Sequence, residues 1–217
     1  PDFEVRNLHD DRFDERDESV EPLHRDDQPY AESAVDDPFS ELRDHDEQEP
    51  VTAPAPQQPL PSAVLAIQLG AQEQLRRLPR TRLMELLQRY RDCLDRAASL
   101  YQGELHTLSD GSSLMLFHQL DIGEDYLTHA ICCGELMRAL GHALQIEVAD
   151  SGITLQLQLG LTLGENLSDL SQGDLLLSET AQNALALSQH SRNLLLVERS
   201  IADDTLVRQR ARIRAIA

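Results

Sequence analysis

The stretch LHTLSDGSSLMLFH (residues 105–118) consists of two apolar alternations joined through Asp110-Gly111. Asp-Gly between two such runs is a strong local signal for a β-hairpin, because the glycine supplies the positive φ that a tight turn requires. Its flanks narrow the fold further. Before it, RTRLMELLQRYRDCLDRAASLY (80–101) sets Leu83, Leu86, Leu87, Tyr90, Leu94, Ala97, Ala98 and Tyr101 three and four apart, the apolar face of a helix. Pro79 stands ahead of that helix and Gly103 follows it as a stop signal. After the hairpin, EDYLTHAICCGELMRALGHALQ (124–145) predicts a second long helix. Its Gly134 and Gly141 cost about 1 kcal/mol each relative to alanine, a cost that close packing against a sheet would offset.

The remaining patterns complete an order of elements. SAVLAIQL (62–69) is a short apolar run, a buried strand. GITLQLQLGLTLG (152–164) alternates strictly, with Ile153, Leu155, Leu157, Leu159 and Leu161 on one face, as in a strand with one buried side. SETAQNALALSQHS (178–191) reads as a third helix with Ser178 at its N-cap. NLLLVE (193–198) is a further strand, and ARIRAIA (211–217) alternates like a last edge strand. The arginines of RQRARIR (208–214) would then lie on a solvated edge, where charge discourages edge-to-edge pairing. The order is β, α, β-hairpin, α, β, α, β, β. Its front part predicts an α+β domain with a ferredoxin-like βαββαβ core: an antiparallel sheet covered by helices on one face.

Charge divides the chain. Residues 1–60 hold 19 acids and five arginines, a net of −14 out of −19 for all 217 residues. Such a segment has too little clustered apolar surface to offset its ordering entropy, so it is expected to be a disordered acidic tail, with APAPQQPLP as a semi-extended spacer. The expected domain boundary falls at 60/61. An acidic chain without a basic patch argues against nucleic-acid binding. No run of about 18 apolar residues is present to span a membrane, so no membrane contact is expected from this segment itself. A chain beginning at Pro1 reads as a fragment, with room for an anchor upstream.

Cys93, Cys132 and Cys133 have neither zinc-site nor redox-pair spacing and are expected to be reduced and buried. His106, His118, His129 and His142 are scattered, with no spacing that makes them converge. No G-x-S-x-G elbow accompanies any serine.

The stretch LLQRYRDCLDRAASLYQGELHTLSDGSSLMLFH resembles the class III nucleotide cyclase homology domain, whose helix is followed by a glycine-led hairpin with a GDG-type turn. Ser109-Asp110-Gly111 matches that turn, LQLGLTLG is similar to the strand that follows, and QGDLLLSETAQNALAL is similar to the next loop and helix. The resemblance covers about residues 62–217.

The resemblance implies a two-metal site built from one aspartate at the end of the first strand and one in the turn. Two divalent cations there neutralise charge on a triphosphate and activate the attacking hydroxyl. The turn aspartate is Asp110, the sole candidate metal ligand, whereas the first-strand position falls on Gln68, a neutral amide and a weaker ligand for a hard cation. The purine-selecting lysine position falls on His106. The positions of the transition-state asparagine and arginine fall on Leu177 and Ala181, which can neither orient a ribose nor stabilise a pentavalent phosphate.

The pattern therefore points to a non-catalytic signalling or protein-interaction domain with no catalytic residue, no cofactor site and no resident cofactor. The implied partner is a second copy or another protein, and the implied location is the cytoplasm or the cytoplasmic face of the inner membrane. The alternative is a nucleotide-binding or weakly active adenylate or guanylate cyclase that uses Asp110 with magnesium or manganese and ATP or GTP.

Overall fold

A computed structural model describes residues 59–215. The acidic stretch up to residue 58 and the last two residues lie outside the described residues. The expectation of a disordered tail falls there up to residue 58, as does that of a spacer except for its last three residues, of which Pro61 already opens the first strand. In chain order the elements are β1 (Pro61–Leu69), α1 (Gln72–Leu75), α2 (Arg80–Tyr101), β2 (Glu104–Thr107), β3 (Ser113–His118), α3 (Gln119–Ile122), α4 (Tyr126–Val148), β4 (Leu157–Glu165), α5 (Gln172–Leu177), α6 (Glu179–Gln189), β5 (Leu195–Val197), α7 (Arg199–Ala202) and α8 (Thr205–Arg210).

The five strands form one mixed sheet in the order β2-β3-β1-β4-β5. Its first four strands are antiparallel, as the βαββαβ reading expects, and β5 joins β4 in parallel. Central β1 is buried along nearly its whole length because both of its faces are covered. Ala63, Leu65, Ile67, Met115, Phe117, Leu159 and Leu161 meet Leu86, Tyr90 and Leu94 of α2 and Ala130, Cys133 and Met137 of α4. Val64, Ala66, Leu114 and Leu116 meet Leu175 of α5 and Ala181 and Ala184 of α6 on the other face. Helices on one face only is thus corrected. Strict alternation in β4 identified one buried side, but small residues on α6 let a third helix cover the second.

Contact between α6 and the sheet is backbone-close. A Cβ on Gly160 of β4 would stand 2.6 Å from both the Ala184 carbonyl oxygen and the Ser188 nitrogen. The glycines in α4 behave as expected: side chains there would strike Leu195 from Gly134 and Leu157 from Gly141, at 2.7 and 2.9 Å.

Helix α2 keeps its expected limits, but its stop is not Gly103. The left-handed residue is Gln102, with φ 57°. Gly103 is needed for space, because a Cβ there would meet Met115 at 2.7 Å. Strand β4 begins at Leu157 rather than at 152, since β1 ends at Leu69 and leaves nothing to pair with. Over 153–155 glutamine side chains take the role of a neighbouring strand: Gln74 Oε1 accepts from Thr154 N–H at 3.0 Å, and Gln145 bonds Ile153 O and Leu155 N–H.

The expected edge strand over 211–217 is not present in its described part. Asp204 caps α8 by accepting from Val207 N–H at 3.0 Å, and Val207 is buried. The RQR run forms the last turn of that helix, where positive charge suits the carbonyl end. From there Arg210 reaches Asp125 and Thr128 at the start of α4. No described helix is long and apolar enough to cross a membrane.

Of the three free cysteines only Cys133 is buried; Cys93 is half-buried and Cys132 is exposed. The reading of three buried thiols is corrected by helix phase, since adjacent residues on α4 point about 100° apart. Burial pushes the Cys133 thiol up to about 12 from an ordinary 9.0. The unfolded thiol ionises first, so its contribution to stability is complete below about pH 9 and is lost as pH rises towards about 12. Urea midpoints should therefore fall over that window, less steeply in Cys133→Ala. Identical alkaline slopes in the two proteins would contradict this.

Candidate functional site

Gln68 and Asp110 are brought to the same end of the sheet. In the antiparallel β1–β3 ladder Ile67 pairs with Ser113, so Gln68 lies one step beyond, level with Ser112 at the hairpin tip. The hairpin closes as a three-residue loop. Leu108 N–H donates to Ser112 O at 2.8 Å, and Gly111 N–H donates to Leu108 O at 3.1 Å. Gly111 takes φ 85°. This is a turn followed by a left-handed bulge residue, one residue wider than the tightest Asp-Gly hairpin.

The exposed Asp110 turns its carboxylate back on this loop. Its Oδ1 accepts from the Ser112 hydroxyl at 2.5 Å and from Ser112 N–H at 2.9 Å. The hydroxyl first, then the N–H, holds the Asp110 carboxyl below the usual carboxylate range. The group is anionic at neutral pH and is engaged within its own turn.

Gln68 faces the other way, towards α6. Its Nε2 donates to the Leu185 carbonyl at 3.2 Å and to Ser188 Oγ at 2.8 Å. A carboxylate has no proton to give at this position at neutral pH. Of the other two positions, Leu177 at the end of α5 is 83% exposed and Ala181 in the first turn of α6 is fully buried. Ala181 sits where its N–H is capped by Ser178 Oγ at 3.2 Å. Ser178 is therefore the N-cap that its position before an acidic first turn predicts.

The histidines are less scattered than their spacing suggests. His106 Nε2 lies 2.8 Å from Glu104 Oε1, and His118 Nε2 lies 3.1 Å from Glu104 Oε2. His118 Nδ1 in turn lies 2.7 Å from Ser62 Oγ. Period-two alternation and the β2–β3 register put residues 104, 106, 116 and 118 on one face, and this register is the signal that sequence spacing lacks. Ser62, His118 and Glu104 stand in the order of a hydrolytic relay, yet Ser62 is fully buried and His118 nearly so. No substrate carbonyl can reach that hydroxyl, and the chain of bonds serves to tie β1, β3 and β2 together. His129 is separate, with Nδ1 2.9 Å from Tyr101 O, and His142 is exposed. Among the described residues no group of three histidine, cysteine or acidic side chains is arranged to hold a metal.

The mixed sheet, the αβ order and the hairpin at its edge define the fold of nucleotide cyclase domains. The chain is similar to the adenylyl cyclase CyaB from P. aeruginosa, with TM-score 0.56, 16% identity, and coverage of 70% of this chain and 83% of that one. It is also similar to two crystal structures of the guanylyl cyclase domain of the RhoGC fusion protein from the aquatic fungus Blastocladiella emersonii. The one described as monomeric gives TM-score 0.55 at 11% identity, covering 70% of this chain and 86% of that one. The one described as a non-canonical dimer gives 0.54 at 14%, covering 70% and 84%. No protein-family model matches the chain, and no curated protein matches it in sequence.

Proposed function

We propose that residues 61–217 form a non-catalytic cyclase-fold domain that acts in signalling by binding a second copy of itself or another protein, joined to an acidic linker over residues 1–60. A cytoplasmic position, at the inner face of a membrane if an anchor accompanies the chain, is part of the same reading. The observation that carries it is Gln68: the side chain at the position of the first metal carboxylate is a neutral amide committed to α6 through two donated hydrogen bonds. The exposed leucine at 177 and the buried methyl at 181 point the same way. A two-metal phosphoryl transfer needs its carboxylates, amide and cation together.

The purified chain, incubated with ATP or GTP and manganese, is expected to form no cyclic nucleotide. Cyclic product that disappears in Asp110→Ala would overturn the proposal in favour of a cyclase that uses Asp110 as its metal ligand. Pairing is tested separately by sedimentation across a range of concentrations, with a concentration-independent monomer counting against a homodimer.

A further inference from the structure

A cavity of about 380 Å³ opens between α1, α2 and the β2–β3 loop. It lies on the sheet face opposite to Gln68, and the proposed function makes no use of it. Its walls are largely leucine: Leu75 from α1, Leu83, Leu87 and Leu94 from α2, and Leu69 from the end of β1. Two polar atoms interrupt them. Tyr90 Oη and Ser113 Oγ are buried, have no hydrogen-bond partner among the described residues, and belong to residues that line this cavity, one on α2 and one on β3. Their residues are only 4% and 0% exposed. Buried hydroxyls are nearly always paired, and two orphans on one cavity are a specific departure from that rule. Burial pushes the Tyr90 phenol well above its ordinary range, so it stays protonated and can both donate and accept.

The mouth adds charge. Arg76, Arg91 and Asp110 line it. Arg76 is already opposed by Glu73 at 3.3 Å, and Asp110 Oδ1 is held by Ser112. Arg91 makes no ion pair among the described residues. A concave apolar site of this size with a few polar groups is the usual form of a small-molecule pocket.

We propose that this cavity binds a small amphipathic carboxylate. Its hydrocarbon body lies among the leucines, one hydroxyl or carbonyl oxygen pairs with Tyr90 Oη and Ser113 Oγ, and its carboxylate pairs with Arg91.

The test is calorimetric titration of the full chain with 3-hydroxyoctanoate, octanoate and the methyl ester of 3-hydroxyoctanoate. The hydroxy acid is expected to bind most tightly. The double variant Tyr90→Phe, Ser113→Ala should weaken the hydroxy acid several-fold and leave octanoate nearly unchanged. Arg91→Gln should weaken both acids by about tenfold and spare the ester. Leu87→Trp, which fills the cavity, should remove binding of all three, with circular dichroism confirming that each variant is folded. Absence of binding up to about 10 mM, or affinities that ignore Arg91 and the two hydroxyls, would overturn the proposal. So would a double variant that melts higher than the parent while no probe binds, since the cavity would then hold only water.

Discussion

Gly160→Val is expected to unfold the domain or leave it barely stable. The position is fully inside the sheet, paired with Ala66 on β1 and Leu196 on β5. The first added carbon would stand 2.6 Å from Ala184 O and Ser188 N and 3.1 Å from Ser188 Cα. All three are backbone atoms of α6, so no rotamer change makes room. The helix would have to lift as a body, separating Ala181 and Ala184 from Val64 and Ala66 and breaking the Gln68 bonds to Leu185 and Ser188. Overpacking a core costs about 1–3 kcal/mol when side chains can adjust, and here they cannot. A loss on the order of 4 kcal/mol is expected from urea melts followed by far-ultraviolet circular dichroism. Gly173→Ala is the control, because a Cβ there would approach nothing closer than Ser171 Oγ at 3.8 Å. A Gly160→Val midpoint close to that of the parent would refute the packing described for α6.

At the hairpin tip, Gly111→Val should cost more than Asp110→Ala. A Cβ on Gly111 would touch nothing within 4 Å, so the penalty is purely conformational and arises from φ 85°. Forcing a β-branched residue into that region costs roughly 2–3 kcal/mol. Asp110→Ala removes two hydrogen bonds made at an exposed turn, worth about 1 kcal/mol. Asp110 carries a depressed pKa, so whatever stability it adds is present above the ordinary carboxylate range and is lost as pH falls through its folded value. Thermal melts from pH 7 down to about pH 3 should therefore show a steeper acid limb in the parent than in Asp110→Ala. Repeating the melts with manganese separates the two uses of this residue, because a ligand bound only by the folded state raises the midpoint. A rise in the parent that is absent from Asp110→Ala would show a working metal ligand. Gly111→Val as the sole large loss, with no response to metal, is the result expected for a structural turn.

The long periodic segments were readable in sequence because each repeats one interaction many times. Helix α2, the hairpin, β1 and the capped start of α6 all announce themselves through spacing or turn chemistry. Their order alone gave the βαββαβ layout, while the order of strands within the sheet, β2-β3-β1-β4-β5, came only with the structure. What remained hidden depends on partners rather than period. Alternation along β4 cannot say that α6 will cover its second face, because that depends on Gly160 meeting Ala184 and Ser188. The apparent last strand failed for a related reason: Asp204 caps a helix that takes up the start of the arginine run, and residues 211–215 beyond it pair with no strand among the described residues. His106 and His118 converge on Glu104 only once the β2–β3 register is known. The cavity beside Tyr90 was equally invisible, since helical spacing marks that tyrosine as core without revealing that its hydroxyl has no partner among the described residues.

The amide at the end of β1 also bears on how this sequence can change over time. Its two donated bonds make Gln68 part of the mortar between sheet and helix. An aspartate introduced alone would aim negative oxygens at the Leu185 carbonyl, which can only accept. It would also be too short by one methylene to keep the distance to Ser188. The step towards a carboxylate thus requires α6 to be rebuilt first, and neighbouring replacements that suit the amide deepen the dependence. Position 68 is thereby locked to its amide: every accommodation between the first strand and the sixth helix makes the path to an acidic residue longer and routes it through unstable intermediates.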